Sequence, residues 1–275
     1  MVSVDFEGGP SAEGGAAGGS GKGGDVDSVV GQLAHPRSVL FETELCDVGQ
    51  VVVNQKTREL EAVSWEHLRP EWKVVTSDDR LGGIWDAVLQ VAKGDVHVVS
   101  RTSDETTWIF VDAPPNGAMA YYLVESKAGG EAETRESIAA GCKVTHLFVD
   151  RPTLAEWELP EPKPLLLRGR DGFLLPSYLT PAHGSGLDTA LESAIPREKE
   201  SDAEAVAALR LDAGAAAVRP MVLLPHGGPW ARDSFGYSPY CQWLASRGFH
   251  VLQVNFRGST GFGKAFLHAG NREWG

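Results

Sequence analysis

The chain has 275 residues, 42% of them hydrophobic and 23% charged, and carries a formal charge of −12. These are ordinary globular values for one large or two average domains. The acidic balance argues against nucleic-acid binding, since no lysine/arginine cluster is present to neutralise phosphates. No run approaches the roughly 18 apolar residues that a membrane-spanning helix needs, so no membrane partner is expected. Cys46, Cys142 and Cys241 are sparse and none forms a Cys-x-x-Cys, a pattern of free thiols in a reducing compartment. With no basic start followed by an apolar core, a cytoplasmic location is the expectation.

Residues 1–31 contain little that can pack. The stretch 8–24 is nearly all Gly, Ala and Ser, which predicts a disordered tail because no apolar surface offsets ordering entropy. Gly19, Gly21 and Gly24 satisfy a Gly-x-Gly-x-x-Gly spacing, yet no strand precedes them, and Gly23 stands where a phosphate-binding loop needs Ser or Thr. No cofactor is expected there or elsewhere.

Residues 32–160 read as short strands with no helical period. Segments 49–53 and 60–65 flank the turn residues Asn54-Gln55-Lys56-Thr57. Segments 96–101 and 107–111 form a second pair, and 118–125 with 144–149 a third. Even strand spacing suggests propeller blades, a sandwich or a barrel. Trp65, Trp72, Trp85, Trp108 and Trp157 fit blade and core packing, and 126–143 reads as a polar surface insertion. Pro160-Glu161-Pro162-Lys163-Pro164 is a stiff linker that marks a boundary. Beyond it, 165–170 and 173–180 flank Asp171-Gly172, a hairpin signal. Residues 182–219, rich in Ala, Glu, Asp and Gly, read as a flexible insertion, with 192–210 able to form a weakly amphipathic helix.

The most informative stretch is 221–263. Residues 221–224 are a short apolar run bounded by turn residues, which predicts a buried strand. The turn His226-Gly227-Gly228-Pro229 follows it. Ser238 is an N-cap, Pro239 suits the first helical position, Tyr240, Trp243 and Leu244 fall at i, i+3 and i+4, and Gly248 ends the helix. Residues 249–256 form a second strand, so the whole is one βαβ unit. In an open α/β sheet, chemistry gathers at the carboxyl ends of the strands, where His226-Gly227-Gly228-Pro229 and 255–263 would both lie.

The same residues carry a resemblance. His226-Gly227-Gly228-Pro229, then Arg232-Asp233, then Gln242-Trp243-Leu244-Ala245-Ser246-Arg247-Gly248, then Asn255-Phe256-Arg257-Gly258-Ser259-Thr260-Gly261-Phe262-Gly263, and finally 269–275, occur in the order found in the prolyl oligopeptidase family. The likeness is to its acylaminoacyl-peptidase and dipeptidyl-peptidase-like members. Arg170-Asp171-Gly172 with Ser177-Tyr178-Leu179-Thr180 resembles the first hairpin of that family's hydrolase domain. Leu68-Arg69-Pro70-Glu71-Trp72-Lys73-Val74, Val98-Val99-Ser100-Arg101-Thr102 and Tyr121-Tyr122-Leu123 resemble its last propeller blades. The resemblance implies a mixed fold: a partial all-β, propeller-like region at 32–160, then the N-terminal part of an α/β-hydrolase domain at 161–275. A blade takes about 40–45 residues, so 32–160 holds three at most.

The implied activity is that of a serine-type peptidase acting on short or N-blocked peptides, with a peptide as partner and the oligomeric state left open. The sequence contains no Gly-x-Ser-x-Gly, the elbow that presents the nucleophile in α/β-hydrolases. No catalytic Ser, Asp or His is therefore assigned, the three being expected beyond Gly275, and the chain is expected to be a fragment that is inactive alone. What the resemblance supplies is the oxyanion loop, with the donor at the N–H of Gly228 or, alternatively, Gly227. His226 precedes any nucleophile in the chain, against the family's order for the base, and is read as orienting this loop. Arg232 and Asp233 are read as a structural ion pair, and Arg257 as an anchor for the loop after its strand. The remaining histidines show no metal-ligand spacing, so no metal is expected. A non-catalytic remnant that binds a partner is the alternative reading, and an esterase of the same fold a lesser one.

Overall fold

A computed structural model describes residues 39–127, 134–187, 219–228 and 230–273. The expected tail at 1–31 and the helix at 192–210 lie outside these residues. Three sheets make up the described architecture. Strands β1 (Val48–Val53), β2 (Leu60–Glu66) and β3 (Pro70–Val74) form an antiparallel meander in that order. The β1–β2 turn is built by Asn54, whose Oδ1 accepts from the N–H groups of Lys56 at 2.8 Å and Thr57 at 3.0 Å, the local bond that makes Asn a turn residue. Strands β4 (Asp95–Arg101), β5 (Thr107–Ala113), β6 (Ala120–Glu125) and β7 (Lys143–Val149) form a second antiparallel meander. All three expected strand pairs are present.

Two helices pack into a region where the sequence predicts only short strands and a polar insertion. Helix α1 (Asp79–Val91) starts at Asp78, whose carboxylate accepts from the N–H groups of Arg80 and Leu81. Leu81, Ile84, Trp85 and Val88 follow at helical spacing and are buried, so the period was there to be read. The pair Gly82-Gly83 masked it, because glycine is a poor helix former. Helix α2 (Arg135–Gly141) lies in the stretch expected to be a surface insertion, and instead buries Ile138. Its Arg135 holds Asp86 of α1 through two bonds of 2.6 and 2.7 Å. Around Trp85 and Val88 of α1 the core gathers Ala62, Trp108, Phe110 and Val124 from both meanders. Trp85 meets Trp72 in a stack and Trp108 edge-on. Trp157 is the exception among the tryptophans assigned to packing, being 71% exposed after the short helix α3 (Pro152–Ala155).

The third sheet contains β8 (Lys163–Arg168), β9 (Leu174–Thr180), β10 (Met221–Leu223) and β11 (His250–Val254) in the order β10-β11-β9-β8. β8 and β9 form the expected hairpin, β10 and β11 run parallel, and β11 pairs antiparallel to β9. Helix α4 (Pro239–Ser246) makes the crossover between β10 and β11, and Ser238 caps it by accepting from the N–H of Cys241. A last helix, α5 (Gly263–His268), follows. Two expectations about burial are corrected here. β10 is not a buried strand: among the described residues it has one neighbour, and Met221 and Leu223 are more than half exposed. On α4 the buried residues are Cys241, Gln242 and Ala245, while Tyr240 and Trp243 face outward. Apolar character at i and i+3 shows that a face exists, but the packing partner decides which face turns inward.

Candidate active site

Both loops at the carboxyl end of the parallel pair meet. β10 pairing is extended by the N–H of Leu224, which donates to the carbonyl of Leu252 at 2.9 Å. Pro225 has no N–H to continue it, and the chain turns at His226-Gly227-Gly228. The imidazole of His226 stacks on Phe256 just after β11, with ring centroids 4.5 Å apart. Its Nδ1 faces the carbonyl of Gly227 at 2.8 Å and its Nε2 the hydroxyl of Ser259 at 2.9 Å. A carbonyl only accepts, so Nδ1 carries a hydrogen. The hydroxyl of Ser259 in turn donates to the carbonyl of Phe256, 2.7 Å away, and its oxygen faces Nε2. A Ser–His contact of this length invites a nucleophile–base reading, but Ser259 is completely buried and no substrate carbonyl can reach it. The contact ties one loop to the other.

Gly227 and Gly228 are exposed on this loop. Among the described residues neither amide N–H has an acceptor. Gly228 sits at φ 140°, and a β-carbon there would lie 2.9 Å from the N of Trp230, so both conformation and space require glycine. Gly227 has nothing within 4 Å of such an atom.

Beyond the glycines, Asp233 is fixed through its backbone. Its N–H donates to Asn255 Oδ1 at 2.8 Å, and its carbonyl accepts from Asn255 Nδ2 at 3.1 Å. Gln253 Nε2 donates to Asp233 Oδ1 at 2.8 Å. Burial pushes the Asp233 carboxyl above its ordinary range, while the charge of His226 and the Gln253 bond oppose that. The N–H of Thr260 donates to the carbonyl of Ala231 at 3.0 Å, a second tie between the loops. Arg232 does not pair with the carboxylate of Asp233. Its guanidinium reaches Glu66 at the end of β2, 3.1 Å from Oε1. Arg257 pairs with the carboxylate of Asp171 and lies over the ring of Phe173, which fastens its loop to the β8–β9 turn.

The structure thus brings His226, Gly227, Gly228, Arg232 and Asp233 onto one loop at the strand ends, and it adds three residues that sequence reasoning passed over. Asn255 and Ser259 lie inside the informative stretch, but a buried polar role has no local signature. Glu66 lies far back in the chain and nothing near it in sequence points to this loop.

A parallel strand pair with a helical crossover, whose carboxyl-end loops carry the polar constellation, defines an α/β unit with a loop-borne site. Residues 235–275 match the prolyl oligopeptidase family. Over 238 residues, 86% of the chain, the sequence is 39% identical to dipeptidyl aminopeptidase BIII of Pseudoxanthomonas mexicana. Over 87% of the chain it is 31% identical to dipeptidyl peptidase family member 6 of Caenorhabditis elegans. The chain spans 29% of the length of each. A puromycin-hydrolyzing peptidase of Mycobacterium tuberculosis shares the fold over 89% of the chain and 32% of its own, with a TM-score of 0.51 at 18% identity. These matches relate the chain to the prolyl oligopeptidase family.

Proposed function

We propose that this chain supplies the oxyanion side of a serine-peptidase site. In this reading the two meanders around α1 are propeller blades, and the mixed sheet is the start of an α/β-hydrolase domain. The amide N–H groups of Gly228 and Gly227 hold the oxygen of a peptide carbonyl as it becomes negative, which preorganised donors do without reorganising. His226 orients the loop through Ser259 and Phe256. Peptides are the substrate class, in keeping with the names of the relatives, among them dipeptidyl aminopeptidase BIII. The observation that carries the reading is the pair of exposed amide donors, unpaired among the described residues, at the carboxyl end of β10. The partner-binding alternative draws on the edge of β10, where Met221 and Leu223 are exposed.

Peptide hydrolysis by the longest translated form of the protein tests the proposal. In Gly228→Val the side chain crowds the donor and the backbone leaves its φ, so kcat is expected to fall about 10²–10³-fold, the cost of one oxyanion donor. Gly227→Ala, which keeps its N–H and whose methyl meets open space, is the comparison and should lose less activity than Gly228→Val. A thermal melt accompanies both. Unchanged kcat with a lowered melting point in Gly228→Val would move the loop from catalysis to scaffold.

A further inference from the structure

Glu66 ends β2 in the first sheet, yet its carboxylate serves the loop after β10. One oxygen, Oε1, accepts from three groups: the backbone N–H of Phe235 at 2.7 Å, the hydroxyl of Tyr178 at 3.0 Å and Nη2 of Arg232 at 3.1 Å. Nη1 of Arg232 also donates to the main-chain carbonyl of Glu66 at 2.9 Å, so the guanidinium grips residue 66 twice. The guanidinium lies over the ring of Phe262, and Arg69 covers the ring of Phe235. The side chains of Glu66 and Arg232 are only 22% and 17% exposed. Bonds to an ionised oxygen are the stronger kind, and a shielded pair keeps more of its strength than a surface one.

We propose that Glu66 is a positioning residue for the loop 226–235, holding the Gly227 and Gly228 amides in place from a sheet that does not carry them. The glycine side of the loop is fixed by His226 on Ser259 and Phe256. Its other side is fixed by Asn255 on the Asp233 backbone and by Glu66 on Arg232 and Phe235. Asn255 and Ser259 lie in the segment that follows β11, the strand beside β10. Glu66 alone among these relates the loop to the β1–β3 meander. The catalytic consequence rests on the oxyanion reading above; the positioning does not.

Residue-resolved amide hydrogen exchange of the 275-residue chain tests it, with Glu66→Ala and Glu66→Gln beside the wild type. In Glu66→Ala the amides of Asp233, Phe235 and Thr260 are expected to exchange about 10–100-fold faster, the range for losing hydrogen bonds to a charged group. The amides of β5 should keep their wild-type rates. Glu66→Gln retains Oε1 as an acceptor and is expected to restore most of the protection at Phe235. Wild-type exchange of the loop in Glu66→Ala overturns the assignment. So does equal acceleration in β5, which would make Glu66 a contributor to global stability only. If Glu66→Ala does not fold, Arg232→Met, which removes the grip and leaves Glu66 in place, carries the same expectation at Asp233 and Thr260. In the longest translated form, Glu66→Ala should lower kcat for a peptide while KM holds. Faster loop exchange with unchanged kcat supports the positioning role and counts against the oxyanion reading instead.

Discussion

Asp233 is a buried carboxyl at this site whose proton affinity depends on the fold. Its Oδ1 accepts from Gln253, while its Oδ2 is buried with no hydrogen-bond partner among the described residues. Burial raises its carboxyl above the ordinary 3.8, partly opposed by the charge of His226 and the bond from Gln253. The folded chain therefore holds this proton more tightly than the unfolded one. The stability linked to it is present at low pH and is lost as pH rises from the ordinary value through the raised one. Asp233→Asn removes the titration. Denaturant titrations at a series of pH values are expected to show a flatter stability profile just above the ordinary carboxylate range. Superimposable profiles for variant and wild type there would remove Asp233 from the pH dependence.

At the scale of elements, the contact between α1 and α2 turns on Gly83. A β-carbon at this position would lie 2.7 Å from both the carbonyl oxygen of Arg135 and Cβ of Ile138. On an exposed helix, replacing glycine by alanine stabilises by about 1 kcal/mol. Here the methyl has to push two helices apart, and overpacking costs about 1–3 kcal/mol. Gly83→Ala is thus expected to destabilise the chain, read as a lower denaturant midpoint. Gly82→Ala makes a useful comparison, because the nearest atoms to its β-carbon would be those of the flexible side chain of Arg135, at 3.0 Å and beyond. It should lose less. Equal effects at the two positions would show that helix propensity, and not the close approach, governs both.

Across the whole molecule, the sheets are joined by a small number of polar ties as well as by the Glu66 cluster. The N–H of Asp47 donates to the carbonyl of Gly261 at 3.0 Å. Gln242, on the buried side of α4, donates from Nε2 to the carbonyl of Pro160 in the proline-spaced linker at 2.9 Å. Gln242→Leu leaves that carbonyl without this donor, a loss of about 1–3 kcal/mol. It also removes Oε1 of Gln242, a buried acceptor with no partner among the described residues, which offsets part of the loss. The net expectation is a destabilisation of about 1 kcal/mol, measured by chemical denaturation. A more stable variant would mean that the orphan acceptor outweighs the tie.

Local chemistry determined much of this protein from the sequence alone. The β1–β2 turn follows from Asn54, the β8–β9 hairpin from Asp171-Gly172, and the start of α4 from Ser238-Pro239, since each depends on residues within a few positions of one another. The His226-Gly227-Gly228 turn, and its place after a strand, were legible for the same reason. What the sequence could not decide is which face of an element finds a partner. The apolar spacing on α4 left open that Cys241 and Ala245, not Tyr240 and Trp243, turn inward, and the apolar run at β10 left open that Met221 and Leu223 are exposed. The polar partners were hidden more deeply. Arg232 stands beside Asp233 in sequence and bonds Glu66 in space, because a guanidinium pairs with whichever carboxylate the fold brings within about 3 Å in a shielded setting. Only the tertiary structure, by bringing the end of β2 against the loop after β10, made that choice.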